Sequence, residues 1–242
     1  MGAKAVSTKL MSTAVLLALL GASAVSAATF STTKVELLYA DYEERPSGKG
    51  FIFTFANATG FTKGDSYFFA DVGNAADRDG TDGIHMEWGP RFSFLRIFGD
   101  GPREGFFKDF YLIVQFDFDA NRFNQRTTTM GGVSADFNLP GWRFFKVHVQ
   151  YRDDPLFEGS SVQLNLVWSA WFGKNDMFSF EGFLDWTTDE GESASNLLTQ
   201  PQLMWHANKH IALGIEYQYW NNRLGIDGLT ESTPQAIARW TF

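Results

Sequence analysis

Two kinds of side chain in this sequence could act on a solute, and both fall on one alternating column. The polar kind comprises the carboxylates Glu87, Asp117, Asp136, Glu181, Asp185 and Glu216, the amides Gln115, Gln150, Gln163, Asn165, Gln202, Gln218 and Gln235, and the cations Arg91, Lys146 and Arg239. The aromatic kind comprises Tyr111, Phe144, Phe183 and Trp220. Carboxylates and amides can hydrogen-bond hydroxyl groups. A base stacked on an aromatic ring gains roughly 1–3 kcal/mol. One or two such contacts give an affinity nearer millimolar than nanomolar, weak enough to release a permeating solute. The same residues also have a plainer reading. Arg91 and Arg239 with Glu87, Asp185 and Glu216 could be ion pairs bracing a wall, and Tyr111, Phe183 and Trp220 could fill space between strands.

Bond-breaking chemistry is poorly supplied. Loop 77–83 carries Asp77, Asp79 and Asp82, but it lacks the third oxygen position and the later Glu of a helix-loop-helix calcium site. His206 and His210 stand four apart without the Glu of an H-E-x-x-H zinc motif. A serine nucleophile needs a histidine base held by a third group. His148 has only Lys146 and Gln150 beside it in its column, and His85, near Ser93 and Glu87, has spacing unremarkable for a strand. The expectation is no catalytic residue, no metal, no cofactor and no enzyme.

The elements that must position these residues are read from their period, which is close to 2 almost throughout. Ile84, Met86, Trp88, Phe92 and Phe94 alternate with His85, Glu87, Arg91 and Ser93. Phe110, Leu112, Val114, Phe116 and Phe118 alternate with Tyr111, Gln115, Asp117 and Asp119. The pattern repeats through Tyr151, Trp168, Trp186, Tyr219 and Trp240. Strands are predicted at 33–42, 50–58, 65–72, 84–96, 107–119, 127–138, 142–153, 160–172, 177–187, 196–206, 210–221 and 233–242. A bulge is expected in the glycine-bearing stretch 127–133.

Segments this long suit a tilted strand crossing a bilayer. Connections alternate between tight turns (Leu139-Pro140-Gly141, Gly173-Lys174-Asn175-Asp176, Ala207-Asn208-Lys209) and the longer polar stretches 121–126, 153–159, 188–195 and 221–232. Short periplasmic turns and long outer loops mark a transmembrane barrel. The fold class is therefore all-β, an antiparallel up-and-down barrel of about 12 strands, at roughly 36 residues per hairpin. Trp88, Trp168, Trp186, Trp205, Tyr217, Tyr219 and Trp240 then face lipid.

Composition agrees. Residues 1–27 read as a cleaved secretory signal, with Lys4 and Lys9, an apolar run and Val25-Ser26-Ala27 before the cut. That leaves 28–242 as the barrel, placed in the bacterial outer membrane. Losing two lysines and no acid takes the net charge from −8 to −10. Such acidity argues against nucleic-acid binding. With 25 Phe, 8 Trp, 7 Tyr and no Cys, stability must come from backbone pairing and packing.

About eight strands leave an interior filled by side chains, and 16 to 18 leave an open channel. Twelve lies between, so the inward column decides what passes. Aromatics left there forfeit the burial worth about 25 cal/mol per Å², which suits a solute with a flat face. A nucleoside fits and a nucleotide fits poorly, although sugars and aromatic amino acids also stack.

Several runs resemble one family. Glu87-Trp88-Gly89-Pro90-Arg91-Phe92-Ser93, Leu139-Pro140-Gly141 with Tyr151-Arg152-Asp153, Gly182-Phe183-Leu184-Asp185-Trp186, Thr199-Gln200-Pro201-Gln202-Leu203 and Gly214 through Asn222 are similar to segments of the nucleoside-specific outer-membrane channels (Tsx-like). The resemblance covers residues 84 to 242 and implies a twelve-stranded monomeric barrel passing nucleosides and deoxynucleosides. It also implies outer loops that can serve phages or colicins. Glu87, Arg91, Phe183, Asp185, Glu216 and Trp220 lie in the matching motifs as wall positions. The rival readings are a channel for other small solutes or ions, and a surface receptor or adhesin whose pore is incidental.

Overall fold

The structure is a computed structural model, and it describes residues 28–42, 48–73, 83–121 and 125–242. The expected signal segment 1–27 and the aspartates of loop 77–83 lie outside the described residues. Twelve antiparallel strands close into a barrel. They are β1 (Ala28–Tyr42), β2 (Gly48–Phe61), β3 (Gly64–Val72), β4 (Ile84–Ser93), β5 (Phe107–Ala120) and β6 (Gln125–Phe137). Then come β7 (Trp142–Asp153), β8 (Ser161–Phe172), β9 (Phe178–Thr187), β10 in two parts (Asn196–Thr199 and Gln202–His206), β11 (Ile211–Asn221) and β12 (Glu231–Thr241). Each pairs with its sequence neighbour. Closure comes from β12 against β1, in register from Lys34↔Thr241 to Tyr39↔Ala236. A closed sheet has no free edge, which a lipid phase demands.

Burial is inverted relative to a soluble domain. Along β12, Glu231, Thr233, Gln235 and Arg239 are buried, while Trp240 and the intervening positions are exposed. On β1 and β2 the exposed column is Leu37, Tyr39, Phe51, Phe53 and Phe55. The polar column faces the lumen and the apolar column faces lipid. A small apolar cluster, Leu38, Met204, Ala212 and Ile237 with Ile52 against it, interrupts the polar lining on one wall.

Four details depart from the sequence reading. The predicted strand 84–96 ends at Ser93, whose Oγ accepts from Arg96 N at 2.9 Å and caps a five-residue helix, α1 (Phe94–Phe98). The strand period cannot signal a capping hydroxyl. The resulting connection, residues 94–106, is long although it lies at the end with the tight turns. The expected bulge at 127–133 is absent, because β5 and β6 stay in register from Asp109↔Asp136 to Ala120↔Gln125. Gly132 instead admits a close strand, since a Cβ there would meet Val149 O at 2.0 Å. Finally, β10 breaks at Gln200-Pro201, because Pro201 has no N–H for the ladder. Its carbonyl still accepts from Tyr217 N at 2.9 Å. Across the break, Gly182 leaves room where a Cβ would meet Gln200 O at 2.4 Å.

Candidate functional site: the lumen

Every wall residue named from the sequence points inward. Register shows it, because residues directly opposite in an antiparallel pair share a face. Asp65↔Arg91, Glu87↔Asp117, Asp136↔Lys146, Asn165↔Asp185, Val167↔Phe183, Glu216↔Gln235 and Trp220↔Glu231 all fall on the buried column.

Two arginines organise the lumen. Arg91 donates Nε to Asp65 Oδ1 at 2.7 Å and Nη2 to Asp65 Oδ2 at 2.6 Å. Its Nη1 reaches Asp136 Oδ1 at 2.6 Å and Ser134 Oγ at 2.9 Å. The guanidinium lies 4.0 Å over the Tyr111 ring, and the Tyr111 hydroxyl donates to Asp136 at 3.1 Å. This lattice ties β3, β4, β5 and β6. Arg239 does the same for β12, β1, β9 and β10, donating to Glu36, Glu181 and Gln202 at 2.5 Å each. Lys34 adds a 3.3 Å contact to Glu181.

A third lattice sits at the outer mouth. Arg126 bridges Asp119 (2.8 Å) and Asp154 (2.9 Å), and Arg152 bridges Asp154 (2.8 Å) and Glu190 (2.6 Å). Fully buried Glu190 also accepts from Asp154 N and Ser161 Oγ, both at 2.8 Å. Loop 188–195 is thereby pinned to the barrel rim. It is pinned to loop 222–230 as well, by Ala194 N to Gly225 O at 2.9 Å.

The other inward carboxylates are held differently. Gln115 Nε2 donates to Glu87 (3.0 Å) and Asp117 (2.9 Å). Asn165 Nδ2 donates to Asp185 at 2.6 Å, and Gln202 and Gln235 donate to Glu216 at 2.5 and 3.0 Å. Thr54 Oγ1 donates to Asp71 at 2.5 Å. Neutral amides and hydroxyls hold these acids, and His85 Nε2 also reaches Glu87 at 3.0 Å. Arg91, Arg239, Lys34, Arg126, Arg152 and Arg223 each contact a carboxylate. On the inward wall, acidic side chains therefore outnumber basic ones.

Inward rings divide into covered and open. Tyr111 is only 2% exposed beneath Arg91, so the stacking face expected of it is taken. Trp171 has Arg143 at 3.7 Å and the His206 ring at 4.1 Å. Phe183 and Trp220 are half-buried, and Phe144 is open with Lys146 at 5.2 Å. Tyr67 is the ring the sequence reading missed. It pairs with Ala58 and Gly89 on the inward column, yet is 51% exposed, so the lumen admits solvent at its level. Phe69 lies 6.0 Å from it and His85 5.5 Å beyond. Parity was unreadable there because Tyr67, Phe68 and Phe69 put aromatics on both faces.

The histidines have separate surroundings. Ser179 Oγ lies 2.9 Å from His206 Nε2, but it is fully buried and also donates to Glu181 at 3.0 Å. His206 stacks on Trp171 inside, whereas His210 stacks at 5.4 Å on outward-facing Trp240. His85 bridges Asp119 (2.8 Å) and Glu87 (3.0 Å).

A family model described as "Nucleoside-specific channel-forming protein, Tsx" matches residues 39–239. A comparison with curated proteins finds no match. Among solved structures, the KdgM porin is similar with a TM-score of 0.51 at 8% identity, covering 86% of this chain and 99% of that one. The outer membrane phospholipase dimer of Salmonella typhi gives 0.58 at 10% identity, with 86% and 90% covered. Phospholipase A of Escherichia coli gives 0.56 at 9% identity, with 88% and 97% covered. At such identities these likenesses establish the barrel fold alone.

Proposed function

We propose a route for nucleosides on one premise: the chain belongs to the Tsx family of nucleoside-specific channel-forming proteins and is a channel of the bacterial outer membrane. The solute diffuses down its gradient through a lumen that touches it weakly at several places. Its base stacks on inward rings, the half-exposed Tyr67 and the half-buried Phe183 and Trp220. Its sugar hydroxyls exchange hydrogen bonds with amide-held carboxylates such as Glu87, Asp117, Asp185 and Glu216. A phosphate ester is disfavoured, since the wall's arginines are engaged and its acidic side chains outnumber the basic ones. Arg91 and Arg239 brace the wall, and we read no enzymatic role into the Ser179–His206 contact.

The observation that carries this reading is Tyr67, an aromatic ring facing inward and half exposed between small neighbours. Single-channel recording in planar bilayers tests it. Adenosine should block the current saturably at millimolar concentrations or below, and Tyr67→Ala should weaken that block several-fold. An unchanged titration would remove Tyr67 from the route, and no block by any nucleoside would remove the route.

The remaining parts of the proposal are simpler. Residues 1–27 are the export signal, so the mature chain begins at Ala28. The barrel works as a monomer, since one chain closes it. Phage or colicin attachment would fall to loops 154–160, 188–195 and 222–230.

A further inference from the structure

The connection 94–106 breaks the rule of tight turns at its end of the barrel, and its sequence, Phe94-Leu95-Arg96-Ile97-Phe98 then Gly99 to Gly105 then Phe106-Phe107, is greasy at both ends and charged at the tip. Ser93, Arg96 and Asn138 tie it to the barrel wall. Ser93 Oγ donates to Asp109 at 2.8 Å, and Arg96 lies 3.7 Å from the same carboxylate. Asn138 Nδ2 donates to Arg103 O (3.0 Å) and Gly105 O (2.8 Å), fixing the returning arm. Its rings stay exposed. Phe98 is 81% exposed, and Phe94, Phe106 and Phe107 are exposed beside it. Phe94 and Phe98, one helical turn apart, stack at 6.3 Å.

This surface is continuous with the lipid-facing wall. Phe94 keeps the outward parity of Phe92 at the end of β4. At the other arm, Phe106 and Phe107 contact Phe137 at 5.3 and 5.1 Å, Phe137 contacts Phe145 at 6.3 Å, and Phe145 contacts Trp142 at 5.9 Å. An aromatic belt thus runs along the rim from β5 to β7 and is extended by α1. Aromatic rings favour the boundary between headgroups and acyl chains, and short apolar segments with a charged flank lie in that plane.

We infer that residues 94–107 form a rim anchor that lies in the periplasmic leaflet of the outer membrane, with Phe94 and Phe98 among the acyl chain ends nearest the headgroups and Asp100, Arg103 and Glu104 in water. The occupant of this apolar face is phospholipid, not a second copy of the chain. The anchor fixes the depth of the barrel at the end where the other connections are too short to reach into lipid.

The chain has no cysteine, which makes the test clean. Phe98→Cys and, as a control, Asp100→Cys are labelled with an environment-sensitive fluorophore and folded as the whole barrel into phosphatidylcholine–phosphatidylglycerol vesicles. Lipid spin-labelled near the headgroup should quench the position-98 label at least twofold more than the position-100 label. Aqueous iodide should show the reverse order. Equal iodide quenching at both positions with no lipid quenching would overturn the anchor. So would protection at position 98 that vanishes on diluting the protein in lipid, which would mark a contact between copies.

Discussion

Arg91 is 3% exposed and holds Asp65 on the adjacent strand β3 and Asp136 on β6, across β5. Removing it strands two carboxylates, and breaking such a buried pair costs on the order of 3–5 kcal/mol. Arg91→Met should therefore lower the denaturant midpoint of the folded barrel markedly while leaving nucleoside block in surviving channels within about twofold. A large loss of block with stability intact would make Arg91 a solute contact and not a brace. The sequence placed Arg91 inward but left bracing and binding both open, because column parity does not say who partners whom. Tyr111 shows the same limit: its direction was legible, its cover by Arg91 was not. Tyr67 escaped altogether, since Tyr67, Phe68 and Phe69 put rings on both faces of its strand and blur the column marked by Asp65 and Asp71.

At the scale of elements, the break in β10 is held by close packing against Gly182, and Gly182→Ala would drive a Cβ into Gln200 O. Overpacking of this kind costs about 1–3 kcal/mol. The heat-modified gel shift that separates folded from unfolded barrel should move to lower temperature for Gly182→Ala and stay put for Gly131→Ala, where a Cβ meets nothing. Equal behaviour of the two would deny the close approach. The clasp of loop 188–195 is a separate element. Glu190→Ala should free the outer loops, seen as faster protease cleavage between residues 188 and 195, and an unchanged cleavage rate would contradict the buried clasp. From residue 107 onward the strand boundaries were legible to within a residue or two, because lipid on one side and water on the other enforce strict alternation. The helix α1 and the interruption at Pro201 were not, since each depends on one local hydrogen bond or its absence against the period of the surrounding strand.

For the whole molecule, selectivity turns on an inward wall whose cations are engaged by acids while other acids are held by amides, a hydroxyl or His85. On the proposed reading, such a wall passes neutral flat solutes and turns back the same solutes bearing phosphate. Asp117→Asn with Glu87→Gln should also reduce any preference for potassium over chloride in the reversal potential, and an unaltered potential would place the selective charge elsewhere. The most direct measurement compares the swelling of proteoliposomes in isosmotic adenosine with that in isosmotic adenosine 5′-monophosphate. Swelling at least tenfold faster with the nucleoside is the result the account predicts; equal rates, or no swelling with either, would contradict it.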